Sequence, residues 1–131
     1  MFTQSIPLLS KRASTTAQAL ISLMKNIPPK ARKTLTLDNG GEFSAHEQWA
    51  QKLNLPSYFC DPYASWQKGG VENTNGRLRR DLPRKTNISK LTKEDFHETI
   101  DNYNSTPRKK LNWLTPIQAF NRNLTRAALQ T

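Results

Sequence analysis

Two carboxylates stand out for where the chain puts them. Asp38 closes the alternating stretch Lys33-Thr34-Leu35-Thr36-Leu37 and is followed by Asn39-Gly40-Gly41. Glu72 comes just after Gly69-Gly70, and 33 residues separate the two acids. An aspartate at a strand end projects into the crevice beyond the carboxyl ends of the strands, where open α/β sheets bind ligands. A glutamate in the first turn of a helix packed on that edge could reach the same crevice. Two or three such carboxylates can hold Mg²⁺ through oxygen ligands. Two ions roughly 3.5–4 Å apart can activate an attacking oxygen and stabilise a leaving oxygen at phosphorus. Each acid also has a plainer reading. Aspartate before Gly-Gly is a turn former, and glutamate at a helix start stabilises the helix dipole.

A set of basic residues surrounds Glu72. Lys68, Arg77, Arg79, Arg80, Arg84 and Lys85 place six cations within 18 residues, against Glu72 and Asp81. On a helix beside the carboxylates they could contact phosphates; a solvated helix face is the plainer alternative. Arg108-Lys109-Lys110 is a second, weaker candidate of the same kind.

The elements that must position these residues follow from periodicity and punctuation. Ala17, Leu20, Ile21 and Met24 share one face of a helix over Ser14–Asn26, with Thr15 or Thr16 as its cap and Pro28-Pro29 as its stop. Lys33–Leu37 reads as a short strand, Ser44–Leu53 as a helix and Ser57–Cys60 as a second strand. Residues 62–70 read as a loop. A helix is expected from Gly70 to about Leu82, with Val71, Leu78 and Leu82 on one side and Pro83 at its end. Thr92 caps a further helix to about Tyr103, with Phe96 and Ile100 on its apolar face. A last helix, Pro116–Asn123, starts on proline. The order of elements predicts an α/β chain. A core with its C-terminal helices is expected over residues 1–123, and a tail over 124–131.

Length and charge bound what such a chain can be. Its 131 residues allow one domain. Only 35% are hydrophobic and the mean hydropathy is −0.76, so the core is expected to be thin. Twenty Lys and Arg against ten Asp and Glu give a net charge of +10. The excess is present in both halves of the chain, and a basic folded domain points to a polyanion, typically nucleic acid. No run approaches the ~18 apolar residues of a membrane span, and the N-terminus lacks the pattern of a signal peptide. The single cysteine, Cys60, has no partner for a disulfide and no zinc-ligand spacing with His46 or His97. A reducing, cytoplasmic setting is the simplest expectation.

The residues around the two acids carry a specific resemblance. It runs through Leu35-Thr36-Leu37-Asp38-Asn39-Gly40-Gly41-Glu42-Phe43, Asp61-Pro62-Tyr63 and Trp66-Gln67-Lys68-Gly69. It continues through Glu72-Asn73-Thr74-Asn75-Gly76-Arg77-Leu78-Arg79-Arg80, then Asn104-Ser105-Thr106-Pro107-Arg108-Lys109-Lys110-Leu111 and Leu114-Thr115-Pro116. In this order the segments resemble the integrase-like core of DDE transposases, most of all the bacterial insertion-sequence-thirty type, over roughly residues 8–121. The resemblance implies a ribonuclease-H-like fold whose three acids bind two divalent ions, Mg²⁺ or Mn²⁺. Those ions drive hydrolysis at transposon ends and attack of a 3′-hydroxyl on target DNA. By position, Asp38 resembles the second acid and Glu72 the third. Asn73, Asn75 and the cations from Lys68 to Lys85 are the DNA-contact candidates it implies.

The first acid has no counterpart, because residues 1–37 contain neither Asp nor Glu. The expectation is a partial ribonuclease-H-like fold that lacks its first strands and first catalytic Asp. Such a truncated transposase would bind DNA, would be inert alone and would be marginally stable. A regulatory module that binds DNA or full-length transposase, and a gene remnant without a role, are the rival expectations. DNA is the expected partner, at the nucleoid, with no membrane.

Smaller features complete the reading. Trp66 is expected to anchor its loop more than to stack on a base, and Trp49 and Trp113 to be packing residues. Gly76 inside a helix costs about 1 kcal/mol relative to alanine, which suggests close approach of backbone or DNA. His46 and His97 are expected at the surface or satisfied, and Cys60 buried as a small apolar residue.

Overall fold

The computed structural model describes residues 1–129. These residues divide into two compact units. One is Ile6–Gln67; the other runs from Lys68 to the end of the described chain and includes Met1–Ser5. One domain was expected from length; each unit instead has its own buried residues.

The Ile6–Gln67 unit holds helix α1 (Ala13–Lys25), strand β1 (Leu35–Leu37), helix α2 (His46–Leu53) and strand β2 (Ser57–Phe59). The expected apolar face of α1 is the one used. Ala17 joins Leu37, Trp49, Leu53 and Leu55 in the core, and Leu20, Ile21 and Met24 pack against it. Trp49 has no exposed surface, and its indole N–H donates to Ser57 Oγ at 2.7 Å. That bond satisfies the one polar atom of a buried indole and ties α2 to β2. Helix α1 starts before the threonines assigned to its cap. Arg12 occupies the cap with no side-chain bond, and Thr16 is buried with Oγ1 unpartnered. At the other end, Arg32 Nη1 donates to the Met24 carbonyl at 3.0 Å and satisfies one of the helix's last acceptors.

Strands β1 and β2 are parallel, with Leu35, Thr36 and Leu37 opposite Ser57, Tyr58 and Phe59. The Cys60 N–H donates to the Leu37 carbonyl at 2.8 Å, which carries the ladder one bond beyond β2. Cys60 is buried, as expected. This two-stranded sheet among helices is a partial α/β core. Its crossover connection contains α2, as parallel strands require.

The second unit holds helices α3 (Gly69–Leu78), α4 (Lys93–Ser105) and α5 (Pro116–Leu129). Helix α4 is capped as expected: Thr92 Oγ1 accepts from the Asp95 N–H at 3.0 Å. Phe96, Ile100, Tyr103 and Asn104 are its buried residues. Helix α3 differs from expectation. It ends at Leu78, and Arg79–Leu82 continue as hydrogen-bonded turns. Its buried residue is Thr74, while Val71 is exposed. The Thr74 hydroxyl donates to the Gly70 carbonyl at 3.0 Å and lies 3.1 Å from the Tyr103 hydroxyl, so a polar pair joins α3 to α4 where an apolar one was expected.

Helix α5 runs past Asn123 to Leu129, so residues 124–129 are helix and not a tail. Its start is a reciprocal capping box. The Gln118 N–H donates to Thr115 Oγ1 at 3.2 Å, and Gln118 Oε1 accepts from the Thr115 N–H at 2.9 Å. Met1–Ser5 packs into this unit. Phe2 stacks on Phe120 with ring centroids 4.3 Å apart. The Thr3 backbone exchanges two hydrogen bonds with the Asn104 amide, at 2.9 and 2.7 Å.

Candidate functional site

Asp38 lies directly after β1, at the strand's carboxyl end, and is exposed. Its Oδ1 accepts from the Gly40 N–H at 3.2 Å, an Asx turn that sets the direction of the chain into Gly41–Phe43. The Asn39 side chain donates to the Cys60 carbonyl at 2.8 Å and fastens this turn to the segment after β2. Glu42 is part of the same loop: a Cβ on Gly40 would meet Glu42 Oε2 at 2.6 Å. Asp38 makes the turn, and it stands at the strand end.

Glu72 is in the first turn of α3 and exposed. Asp38 and Glu72 belong to different units. Among the described residues no group of three or more His, Cys, Asp and Glu side chains is placed to hold a metal ion. Mg²⁺ keeps several waters and takes only one or two carboxylates from a protein; Asp38 and Glu72, each exposed, are donors of that type.

The basic candidates are on the second unit. Lys68 sits immediately before α3 and is half-buried. Asn73, Asn75 and Arg77 are exposed on α3, and Arg77 Nε donates to Asn73 Oδ1 at 3.1 Å, an i, i+4 pair. Arg79, Arg80, Arg84 and Lys85 are exposed but lie beyond the helix, in the turns that follow it. Of the cations expected on or beside a helix to about Leu82, Arg77 is on the helix and Arg79 and Arg80 fall in the turn after it. A groove of about 290 Å³ runs there, with Leu78, Leu82 and Ile88 in it and Asn75, Arg79 and Arg84 among its polar lining. Gly76 faces open space: nothing lies within 4 Å of a Cβ placed on it. No described residue explains that glycine by close approach.

Several residues behave differently from their sequence reading. The loop before α3 is anchored by Gln67, not by Trp66. Gln67 Oε1 accepts from the Asp61 N–H and its Nε2 donates to Asp61 Oδ2, both at 2.9 Å. Trp66 is 77% exposed, and Tyr63 is fully exposed with φ +60°. Trp113 is also exposed, not packed. His46 is half-buried with Nδ1 unpartnered, its ring edge-on to Phe59 at 5.1 Å. The clamp was readable in principle from an acid and an amide six residues apart around Pro62. The exposure of the two tryptophans was not, because size and apolarity argue for burial.

No helix among the described residues is long and apolar enough to cross a membrane. No protein-family model matches the chain. Similar proteins are found among transposases. The chain is 45% identical over 87 residues to the transposase for insertion sequence element IS4351 of Bacteroides fragilis, covering 66% of this chain and 27% of that one. It is 36% identical over 120 residues to the transposase for IS1086 of Cupriavidus metallidurans, covering 89% and 35%. It is 33% identical over 123 residues to the transposase InsI for IS30A of Escherichia coli K12, covering 94% and 32%. The chain thus spans about a third of the length of these curated relatives. Among solved structures, the catalytic core domain of BIV integrase matches with a TM-score of 0.67 at 21% identity, over 92% of this chain and 76% of that one. At that identity the likeness establishes the fold, a partial α/β core of the integrase, ribonuclease-H-like kind. Over most of its length, then, this chain has as its homologues the transposases of insertion sequences, those of the IS30 type included.

Proposed function

We propose that the chain is a DNA transposition and integration protein that binds DNA through the second unit and performs no strand transfer alone. The observation that carries this reading is the homology to insertion-sequence transposases over 89% and 94% of the chain. The exposed Arg77, Arg79, Arg80, Arg84 and Lys85 supply the cationic surface such a role needs, with the exposed amides of Asn73 and Asn75 beside it. Phosphate contacts of this kind position a protein on a duplex without reading sequence. By the resemblance, Asp38 and Glu72 take the roles of the family's second and third acids. Residues 1–37 contain neither Asp nor Glu to take the role of the first, so Mg²⁺ or Mn²⁺ chemistry needs a carboxylate from elsewhere.

Two measurements test the reading. The logarithm of the association constant for duplex DNA should fall linearly with log salt, with a slope of about −0.9 per phosphate contacted. Replacing Arg77, Arg79 and Arg80 by alanine should lower that slope by up to about 3. Incubation with Mg²⁺ or Mn²⁺ and a transposon-end duplex should yield neither nicking nor joining. Joining that is lost in Asp38→Ala would overturn the claim of inertness, and salt-insensitive or absent binding would overturn the DNA role.

A further inference from the structure

The loop between α4 and α5 holds a large aromatic side chain in a place that packing does not explain. Trp113 is 70% exposed, and its backbone is left-handed, with φ +65°. Asn112 before it is left-handed as well, with φ +53°. Asparagine tolerates that region; a bulky residue there is an outlier that the surrounding structure must enforce. The enforcement is visible. The Trp113 N–H donates to the Arg108 carbonyl at 3.0 Å, and the Arg108 N–H donates to the Leu114 carbonyl at 3.1 Å. The Arg108 guanidinium in turn donates to the Tyr103 carbonyl at 3.1 Å and lies over the Tyr103 ring, 4.6 Å from its centroid. Arg108 is therefore spent on holding the loop, and the loop presents an indole to solvent from a hydrogen-bonded backbone.

The charge that follows along the sequence has one sign. Asp101 is the last acidic residue of the sequence, while Arg108, Lys109, Lys110, Arg122 and Arg126 all follow it. Lys109, Lys110, Arg122 and Arg126 are exposed. Arg122 and Arg126 are four residues apart on α5. With Ala119 they form one side of a groove of about 260 Å³, whose other side is Leu111, Asn112 and Leu114. A cationic groove beside a preformed aromatic platform is the recurrent arrangement for unpaired nucleic acid. The backbone tracks the cations and a base stacks on the ring. An indole can stack only on a base whose face is free, so paired duplex does not use it.

We propose that the loop 108–114 and α5 form a second DNA-binding surface, one that engages unpaired or unstacked DNA, with Trp113 as the stacking residue and Lys109, Lys110, Arg122 and Arg126 as phosphate contacts. This deepens the DNA-binding reading above and rests on it, while using residues separate from the α3 set.

The test compares an intact duplex with the same duplex carrying a short single-stranded gap. Trp113→Ala should weaken binding to the gapped duplex about 5- to 150-fold, the loss of one stacked base, and change intact-duplex binding little. Trp113→Phe should retain most of the affinity. Trp113→Gly should weaken gapped binding like alanine yet leave Tm unchanged or higher, because glycine accepts a left-handed φ. A merely structural tryptophan would lower Tm instead. Unchanged gapped binding in Trp113→Ala, alongside loss of intact-duplex binding in the Arg77, Arg79 and Arg80 variant, overturns the inference and leaves the DNA role standing. Equal losses on both DNAs, or altered self-association with unaltered DNA binding, also overturn it. A parent chain that binds neither DNA overturns both readings.

Discussion

The turn made by Asp38 can be separated from its charge by a single substitution. Its Oδ1 accepts the Gly40 N–H, and an asparagine in its place keeps that oxygen while losing the charge. Asp38→Asn should therefore lower the thermal midpoint less than Asp38→Ala does, which calorimetry can check. Asp38→Ala loses the acceptor too and should cost about 0.5–1 kcal/mol. At this scale the candidate site was legible wherever a residue's type constrains its place. Asp38 at a strand end, Thr92 at a cap and Cys60 in the interior all sit where their chemistry argues. It was illegible for Trp66 and Trp113. The rule that large apolar residues are buried runs one way only, and nothing in a single sequence separates an aromatic that packs from one that is displayed.

Among the elements, α1 and α4 were readable because both a periodic apolar face and a boundary signal were present. Helix α3 was misjudged at its end. Its expected apolar stripe of Val71, Leu78 and Leu82 gives way to a buried threonine, whose hydroxyl pairs with the Tyr103 hydroxyl at 3.1 Å. A polar residue at a core position is invisible to hydrophobic periodicity. Helix α5 was cut short in the sequence reading, although no proline or glycine follows Pro116 to stop it, and Thr115 with Gln118 spells its capping box. Gly76 offers the sharpest test at this scale. It lies inside α3 with open space where a Cβ would go, so Gly76→Ala should stabilise the helix by about 1 kcal/mol. Chemical denaturation reads that gain. If DNA lies against the open face, the same variant should bind duplex more weakly than the parent.

For the molecule as a whole, the partial fold expected from the missing first acid matches a sheet of only two strands, and the transposase relatives cover nearly the whole chain. The division into two units was not legible. It depends on contacts between residues a hundred positions apart, such as Thr3 with Asn104, which no local pattern encodes. Removing Met1–Ser5 should cost the second unit about 2–4 kcal/mol, from two hydrogen bonds and one aromatic pair. Hydrogen exchange should show the loss in α4 and α5, with Ile6–Gln67 protected as before. The same five residues also decide how the chain would carry a mechanical load. They begin in the unit where Leu129 ends, so Ile6–Gln67 is an excursion between two attachments to one body. Force applied between the N-terminus and Leu129 is borne first by the Phe2–Phe120 stack and the Thr3–Asn104 bonds, and the excursion feels no tension until they let go.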